Sequence, residues 1–531
     1  MAKFKHYINK DTIVCAIVFT IIALMGLFYK TMHEDLVVYR WQYPIAAIIL
    51  FVVIYLALSL IYIVYDKVVS VANTGSINPK VLGIVSFAVI WLECTLVFLN
   101  IYPGAYSVDS PAQLGEAISM GGYENLNPLI NTLVIMLFVQ IGMAIKDINL
   151  GVALYTFVQY TWYAGVATYA VLVINKTGLP KWIKWVPILF FAWPINVIFA
   201  VTMWKDTFFS VFFLWTSAYL LMLFTDKDNT LDWKRGLKLF VLIYFTSLAR
   251  NSGWSALIIG AIFLLVYGLR KQDSDKKENG KYVKIAFLEI GAIALALFTT
   301  SVIYPAMGVH SLNGSTGTAV MVQQMSRVII EDEVTESDLP LYSEAGITEE
   351  EYEGIRDNYD PILVDAVRGY YDVSDIGRFL SSWYKIGLKH PREYAMAFVD
   401  HTAGYWWVEF NAEWFYDDSL WENEFGLERT SLFLDGVKLT REMLIRTHYL
   451  NRITKMVCSS AFALWLIIMC MYISARRNNR VSHSIIIPYV MVYIGLLLFS
   501  YGYLFRYSFA AVIAVPVIIG SCELKRYESR L

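Results

Sequence analysis

Long, nearly uninterrupted apolar runs are the feature that most constrains this chain. Runs such as 11–30 and 44–65 have the length, about 20 residues, that a helix needs to cross a hydrocarbon layer about 30 Å thick. Core helices of water-soluble proteins alternate apolar and polar faces, and these runs do not. Of the 531 residues, 57% are hydrophobic and 17% charged, whereas soluble domains carry about a quarter charged residues. The pattern predicts an all-α integral membrane protein with about 11 to 13 transmembrane helices.

The apolar runs divide the chain into three modules. The runs interpreted as spans are 12–29, 44–65, 81–101, 128–145, 150–174, 186–203, 207–224, 237–249, 254–269, 285–305, 453–474, 484–504 and 507–521. We expect an N-terminal transmembrane module over 1–305 with an outer loop at 102–127, an extracytoplasmic domain over 306–451, and C-terminal transmembrane helices over 452–531.

The distribution of charge predicts the orientation of the spans. Lys and Arg collect in the cytoplasmic loops of membrane proteins, and basic clusters lie within 227–238, 270–284 and 476–480. Residues 306–451 hold 26 Asp and Glu against 11 Lys and Arg. We therefore expect a multi-pass protein of the cytoplasmic (plasma) membrane, with its amino terminus inside and the acidic domain outside.

The acidic domain is expected to be mainly helical. Its runs 319–330, 375–388 and 392–407 mix apolar and polar residues at helical spacing, although strands fit these runs too.

One early segment is expected not to cross the membrane fully. Counting spans forward from the amino terminus places Lys205 inside, whereas counting back from the acidic domain places it outside. Pro187 and Pro194 make 186–203 a candidate pair of re-entrant half-helices, and the short run 128–145 is the other candidate.

Asp109, in the outer loop, is the candidate catalytic base. The loop has no Lys or Arg; Ser110 is expected to cap a short helix, with Pro111 at its first position and Gln113 at capping-box spacing. Asp109 would then lie beside the positive end of the helix, which favours its ionised form and suits a base. The alternative is that Asp109 only assists the cap.

Three cations at the edges of spans are candidates for binding phosphate. Lys205 precedes Asp206 between two apolar runs, Arg250 lies in a polar break, and Arg506 lies between the last two runs. Guanidinium groups bind phosphate through paired hydrogen bonds. The alternative is that these side chains reach to the membrane interface as ordinary turn residues.

The acidic domain supplies candidates for contact with substrate. Gln324, Arg327, His401 and Glu409 are the expected supporting or acceptor-binding residues, and Asp206 is grouped with them. Further candidates there are His310, Gln323, His390 and Glu413. None has the spacing of a strong metal site, so the cofactor stays unknown and a divalent metal stays open.

An ordered set of short motifs resembles a known superfamily. The set is Tyr102-Pro103-Gly104 with Asp109, Asn127-Pro128, Trp204-Lys205-Asp206, Arg250-Asn251, Gln323-Gln324 with Arg327, His390-Pro391 with Tyr394, and Arg506-Tyr507. Across most of the chain this order resembles the GT-C superfamily of polyprenyl-phosphate-sugar-dependent membrane glycosyltransferases, in particular its uncharacterised bacterial branch. Two spans more than usual precede the loop, and the acidic pair of some members is reduced to Asp109 followed by Ser110.

The resemblance implies a function. Asp109 takes the role of the acidic base in the first large outer loop, and the donor is a polyprenyl-phosphate-linked sugar. The acceptor is a glycan or another component of the cell envelope, such as a cell-wall polysaccharide, and a single displacement inverts the anomeric centre. Partners are therefore the lipid-linked sugar, the acceptor and the bilayer, with no nucleic acid.

Rival functions predict different requirements. A transporter or flippase of lipid-linked glycans would use the same cations without a base, and is expected to show internal repeats, which this sequence lacks. A polymerase or ligase of related architecture would differ in its donor. A structural or sensory membrane protein leaves the outer charges without a purpose. No Walker loop or nucleophile elbow supports ATP-driven transport or serine hydrolysis.

Overall fold

A computed structural model describes residues 9–34, 38–72, 74–124, 126–226, 231–270, 276–310, 317–410, 418–433, 435–449 and 452–524. No strand forms among them; only isolated β-bridges do. The helices are α1 Lys10–His33, α2 Gln42–Val71, α3 Pro79–Asn100, α4 Ser110–Ser119, α5 Leu129–Ala144, α6 Ile148–Ile174, α7 Val186–Phe191, α8 Pro194–Ala200, α9 Lys205–Thr225, α10 Trp233–Leu248, α11 Gly253–Arg270, α12 Lys276–Phe298, α13 Tyr304–Ala306, α14 Ala319–Ile330, α15 Leu339–Glu344, α16 Glu351–Asn358, α17 Asp365–Arg368, α18 Ile376–Lys389, α19 Pro391–Trp406, α20 Gly436–Tyr449, α21 Arg452–Val457, α22 Ser460–Arg476, α23 His483–Phe499 and α24 Phe505–Ser521.

The membrane part is a helical bundle with two distinct ends. We call the end that carries Asp109 the Asp109 end, and the end that carries Arg477 the Arg477 end. At the Arg477 end, Arg477 bonds Asp66 near the end of α2 and Glu523 after α24. At the Asp109 end, His33 in the last turn of α1 contacts Asp400. Asp400 belongs to the described part of 306–451, which we call the acidic region. Helices that join the two ends are therefore the spans.

The expected fold class is confirmed. Eight helices in the described part of the chain are long and apolar enough to cross a membrane. In the same described part, a pair of helices bent by 51°, Ile183–Phe191 and Pro194–Ala200, adds a ninth candidate span, and the shorter apolar helices α22 and α24 also run between the two ends. The chain is a multi-pass, all-α membrane protein.

Hydrogen bonds identify the segment that does not cross. At its start the bent pair lies at the Arg477 end, where Lys184 donates to the carbonyls of Thr74 and Asn175. It finishes at the Asp109 end, where the Gln159 amide donates to the carbonyl of Thr202. The bent pair is thus a broken span, so the re-entrant interpretation of 186–203 was wrong. The segment that stays on one side of the membrane is α5, which lies within 128–145, the other candidate predicted from the sequence.

The tight turn between α5 and α6 explains how α5 can begin and end on the same side of the membrane. Gly142 and Gly151 pack so closely that a Cβ on Gly142 would come within 2.7 Å of the Gly151 Cα. The α5–α6 hairpin therefore closes tightly at the Asp109 end, and Asn149 there accepts a hydrogen bond from the backbone of Glu428 in the acidic region. Lys205 consequently lies at the same end as that region.

The acidic region has a core of its own and a helix that joins it to the bundle. Buried apolar residues between Ala319 and Tyr394 form a cluster separate from the bundle core. Helices occupy all three of the predicted runs, as α14, α18 and α19. The last turns of α19, from Val399 to Trp406, pack instead into the bundle core, so α19 connects the two.

The predicted cap of α4 is not formed. Asp109 takes the N-cap position without a side-chain hydrogen bond to the helix, and Met120 adopts the left-handed conformation at the other end. The Ser110 hydroxyl donates to the carbonyl of Met203, 2.7 Å away. A contact with a distant segment has replaced the local cap, because Ser110 is fully buried there.

Candidate active site

Five charged side chains from four separate stretches of chain meet at the Asp109 end. Arg506 Nη1 lies 2.6 Å from Asp109 Oδ2 and 3.6 Å from Asp206 Oδ2. Lys205 Nζ lies 3.5 Å from Asp109 Oδ2, and Arg250 pairs with Asp206 Oδ1. Three cations and two carboxylates therefore alternate in one cluster, which we call the charge cluster.

The Asp109 loop is held against the start of α9 by backbone pairing. Ala105 and Thr202 form a parallel β-bridge, and the Trp204 indole donates to the carbonyl of Ser107 at 3.0 Å. A Cβ on Gly104 would lie 2.8 Å from the Thr156 hydroxyl, so only glycine permits this approach. These contacts fix Asp109 relative to Lys205.

Asp206 is the buried centre of the charge cluster. Its side chain is 1% exposed and lies in the first turn of α9, where the positive end of the helix dipole stabilises a carboxylate. Burying a charge is costly unless it is paired, and here Arg250 and Arg506 provide the pairs. Asp206 therefore serves as the fixed counter-ion of both guanidinium groups.

Arg506 occupies a position that its own helix disfavours. It lies in the first turn of α24, and a cation is destabilised at a helix amino terminus. The two carboxylates offset this cost, as do the aromatic rings of Trp204 and Tyr507, whose centroids lie 5.6 and 4.9 Å from the guanidinium carbon. Arg506 is thus held there by tertiary contacts.

The charge cluster keeps Asp109 ionised. Burial raises the pKa of Asp109, but Arg506 and Lys205 outweigh this effect and hold its pKa below the usual range. Its side chain is 20% exposed, as against 9% for Arg506, so solvent reaches the carboxylate. The arrangement offers a solvent-accessible carboxylate and cations that an anion can approach.

A third carboxylate, that of Glu116, supports Lys205 and was not among the predicted site residues. Lys205 Nζ donates to the carbonyl of Leu126 and to Asn127 Oδ1, at 3.1 and 3.4 Å. The Asn127 amide and the Thr132 hydroxyl in turn donate to Glu116, at 2.9 and 3.3 Å. Burial raises the pKa of Glu116, and these two hydrogen bonds oppose the rise. The signal in the sequence is its position two helical turns after Asp109, on the same face.

A comparison with protein families matches most of the chain. A family model described as a family of unknown function, DUF6020, matches residues 120–519. The chain belongs to this family. No curated protein matches the chain, and no solved structure does. The part that matches DUF6020 contains Lys205, Asp206, Arg250 and Arg506, whereas Asp109 precedes it.

The other predicted site residues lie away from the charge cluster. Within the DUF6020 match, the Gln324 amide donates to the Tyr394 carbonyl, and Gln324 accepts from the Trp383 indole. Arg327 pairs with Asp400 at 3.2 Å. Each of these side chains contacts other elements of the acidic region and none of the residues of the charge cluster.

His401 and Glu409 likewise bind other parts of the protein. His401 Nε2 lies 2.9 Å from the carbonyl oxygen of Ser500 and the side chain is fully buried. Glu409 pairs with Lys30 at the end of α1, at 3.0 Å. Of the expected supporting residues, only Asp206 joins the charge cluster.

The remaining candidates fall into two groups. His390 bonds Asp338, Gln323 donates to the carbonyl of Asp360, and the backbone of His310 pairs with Tyr123. Glu413 lies outside the described residues. No group of three His, Cys, Asp or Glu with metal-binding geometry occurs within the described ranges, and the two carboxylates of the charge cluster both contact Arg506.

Proposed function

We propose that this chain is a GT-C-type membrane glycosyltransferase that moves a sugar from a polyprenyl-phosphate carrier to an extracytoplasmic glycan or similar acceptor. The observation that carries the proposal is the charge cluster, where Lys205 and Arg506 contact the accessible Asp109 and Arg250 joins them through Asp206 at one end of the bundle. Phosphate recognition requires such cations, and removal of a hydroxyl proton requires such a carboxylate.

In the free protein the site holds its own counter-ions. Asp109 occupies the position beside Arg506 and Lys205 that an incoming phosphate would need. The phosphodiester of the donor would take over part of these contacts, because it brings a negative charge and non-bridging oxygens of its own, and the departing phosphate gains a second charge. Asp109 would lose stabilising cations and its pKa would rise, so donor binding would strengthen it as a base.

The chemistry that follows is one displacement. Asp109 takes the proton of the acceptor hydroxyl as that oxygen forms a bond to the anomeric carbon. The bond from this carbon to the phosphate oxygen breaks, and its electron pair stays on the polyprenyl phosphate. Lys205, Arg250 and Arg506 stabilise the charge that develops on this leaving group. Attack from the face opposite the leaving group inverts the anomeric centre.

An apolar cavity beside the charge cluster suits the lipid of the donor. A space of about 250 Å³ lies between α5, α6, α9 and α10 and is lined by Trp162, Phe208, Phe212 and Phe245 among others. Phe208 and Phe212 lie one and two turns along α9 from Lys205. A chain whose phosphate contacts Lys205 could therefore pack its first isoprene units here.

The proposal includes the orientation of the chain in the membrane. The basic residues Arg235, Arg270, Arg476 and Arg477 lie at the opposite end from Asp109, and basic loops remain in the cytoplasm. The charge cluster and the acidic domain then face outward, with the amino terminus inside.

Replacing Asp109 by Asn tests the proposal and its main rival together. The purified chain in lipid nanodiscs is supplied with radiolabelled polyprenyl-phosphate sugars and with envelope glycans from a strain that lacks the gene. We expect Asp109→Asn to lower transfer by about 10² to 10⁴-fold and to keep polyprenyl-phosphate binding. The exposed substitution Glu336→Gln is the control. Full transfer by Asp109→Asn would exclude Asp109 as base, and translocation without transfer by both proteins would favour the flippase.

A further inference from the structure

The five residues before α24 connect the acidic domain to the charge cluster. Residues 500–504 link the end of α23 at Phe499 to the start of α24 at Phe505, and Arg506 is the second residue of that helix. The last of the five, Leu504, is extended with φ −127° and ψ 122°. Because these residues lie between two helices, the position of Arg506 depends on what holds them.

The acidic region and its helix α19 hold this linker by backbone-directed hydrogen bonds. The Tyr405 hydroxyl donates to the carbonyl of Gly502 at 2.8 Å and accepts from the amide of Leu504 at 3.3 Å. His401 Nε2 lies 2.9 Å from the carbonyl of Ser500, which can only accept, so this nitrogen carries the hydrogen. Bonds to the main chain fix the linker whatever its side chains are.

Residues 363 and 364, just before α17, also contact the backbone of the linker. The amide of Val364 donates to the carbonyl of Tyr501 at 2.9 Å, and Leu363 and Gly502 form an antiparallel bridge. The guanidinium of Arg368 lies 4.5 Å from the centroid of the Tyr501 ring. The linker is therefore held from two sides of the acidic region.

Close packing leaves the linker little freedom to shift. A Cβ on Gly404 would lie 2.3 Å from the Tyr503 ring, and a Cβ on Gly502 would lie 2.3 Å from the carbonyl oxygen of Ile362. The rings of Tyr405 and Tyr503 meet edge to face at 5.1 Å. Glycine at position 404 lets the Tyr503 ring pack against α19, and glycine at position 502 lets the linker backbone meet the carbonyl of Ile362.

Helix α19 is itself anchored to the bundle. Asp400, which precedes His401, lies 2.6 Å from His33 at the end of α1 and 3.2 Å from Arg327 of α14. The end of α19 packs in the bundle core through Ala403 and Trp406. A helix fixed in this way can hold a neighbouring linker in a constant position.

From these contacts we infer that His401 and Tyr405 are positioning residues that fix Arg506 for phosphate binding through the 500–504 linker. The inference rests on the proposed function for its ligand and extends it to the acidic domain. The acidic domain then supports the donor site by holding the 500–504 linker in place. His401 acts through Arg506 and does not touch a substrate.

Two tyrosine-to-phenylalanine changes in α19 test this role. Tyr405→Phe keeps the ring against Tyr503 and removes both hydrogen bonds to the linker. Tyr394→Phe is the matched control, because its hydroxyl donates to the carbonyl of Trp383 within the acidic domain, also at 2.8 Å. Both changes remove one buried hydroxyl from the same helix.

The first measurement needs no ligand. Hydrogen exchange of the Leu504 amide in the intact chain is expected to quicken about tenfold in Tyr405→Phe, as the loss of a hydrogen bond of about 1.4 kcal/mol predicts. The same amide is expected to keep its wild-type rate in Tyr394→Phe. Equal exchange in both variants would overturn the inference, even if the chain binds no lipid phosphate.

The second measurement is the Kd for undecaprenyl phosphate, with undecaprenol as the uncharged comparison. Tyr405→Phe is expected to raise the Kd for the phosphate about tenfold and to leave the alcohol unaffected, and Tyr394→Phe is expected to change neither. His401→Gln, whose amide can still donate toward Ser500, should retain more phosphate affinity than His401→Leu. Equal phosphate affinity in the two tyrosine variants would overturn the positioning role, whereas no phosphate binding by the wild type would overturn the proposed function and the role together.

Discussion

Arg506 donates a hydrogen bond of 2.6 Å to Asp109 across a separation of 397 residues. The pair joins the start of the last span to a loop in the first third of the chain, and Lys205 and Asp206 join it from between them. A bonded Asp109 cannot accept a proton as readily as a free one. The proposed reaction therefore requires that the donor compete for Arg506, and several expected outcomes depend on this competition.

The pH dependence of transfer reports that competition directly. The pKa of Asp109 is held low in the free protein by Arg506 and Lys205, so the acid limb of kcat/KM, which reports the free protein, should lie at low pH. When phosphate takes these cations, the pKa rises, so the acid limb of kcat should lie at higher pH. Coincident acid limbs would contradict the competition.

Arg506→Lys tests how much the guanidinium group contributes to phosphate binding. Lysine keeps the charge but loses the planar pair of donors that suits phosphate, and it cannot reach both Asp109 and Asp206 in the same way. We expect the Kd for polyprenyl phosphate to rise about tenfold. Arg446→Lys is the control, since that side chain is 77% exposed and pairs only with Glu442 one turn away among the contacts described.

Asp206→Asn should reduce stability more than a surface change does. The substitution removes the negative charge of Asp206 and leaves Arg250 and Arg506 without their buried counter-ion. Breaking a buried ion pair lowers the free energy of unfolding by about 3 to 5 kcal/mol. Asp66→Asn removes a partner of Arg477 that is 53% exposed, which is worth about 0 to 1 kcal/mol. Thermal unfolding in detergent compares the two, and similar losses would show that Asp206 is not the fixed centre of the charge cluster.

Filling the apolar cavity should distinguish donors by their lipid. Phe245→Trp adds volume to the wall of the cavity. The KM for a long-chain polyprenyl-phosphate sugar is expected to rise several-fold, about 1 kcal/mol or more, while a short-chain soluble analogue is unaffected. An equal effect on both donors would mean that the lipid packs elsewhere.

Asp338 should make the acidic domain sensitive to acid. Burial raises the pKa of Asp338, but hydrogen bonds from Lys389, Thr335 and His390 outweigh this effect and hold the pKa well below its usual range. A lowered pKa in the folded state stabilises the protein above the unfolded pKa of about 3.9, and this stability is lost as pH falls below it. Wild type should therefore lose more stability than Asp338→Asn between about pH 5 and pH 3. Parallel losses would contradict the prediction.

Local patterns predicted much of the fold. Apolar runs gave the spans, and helical spacing gave α14, α18 and α19, because both depend on residues close together in the chain. Counting spans also showed that one segment fails to cross, but it could not choose between 128–145 and 186–203. That choice depended on which partners Lys184 and Thr202 find.

Side-chain roles were harder to predict than helices. Ser110 had the sequence of a cap, yet its hydroxyl bonds Met203, which is 93 residues away. His401 and Glu409 had the residue types of a site, yet they bind Ser500 and Lys30. Glu116 was missed although it lies two helical turns after Asp109, because its role depends on contacts with Asn127 and, through it, Lys205, which local spacing does not show.

The sequence by itself determined that this chain is an all-α membrane protein and which polar residues lie at the edges of its spans, because the hydrocarbon layer allows few alternatives for apolar runs of that length. Only the tertiary structure decided which of those edges meet. Arg506 lies at a helix end that disfavours a cation, and it is stabilised there by Asp109 and Asp206. Such pairing over hundreds of residues follows from helix packing, which no single stretch of sequence contains.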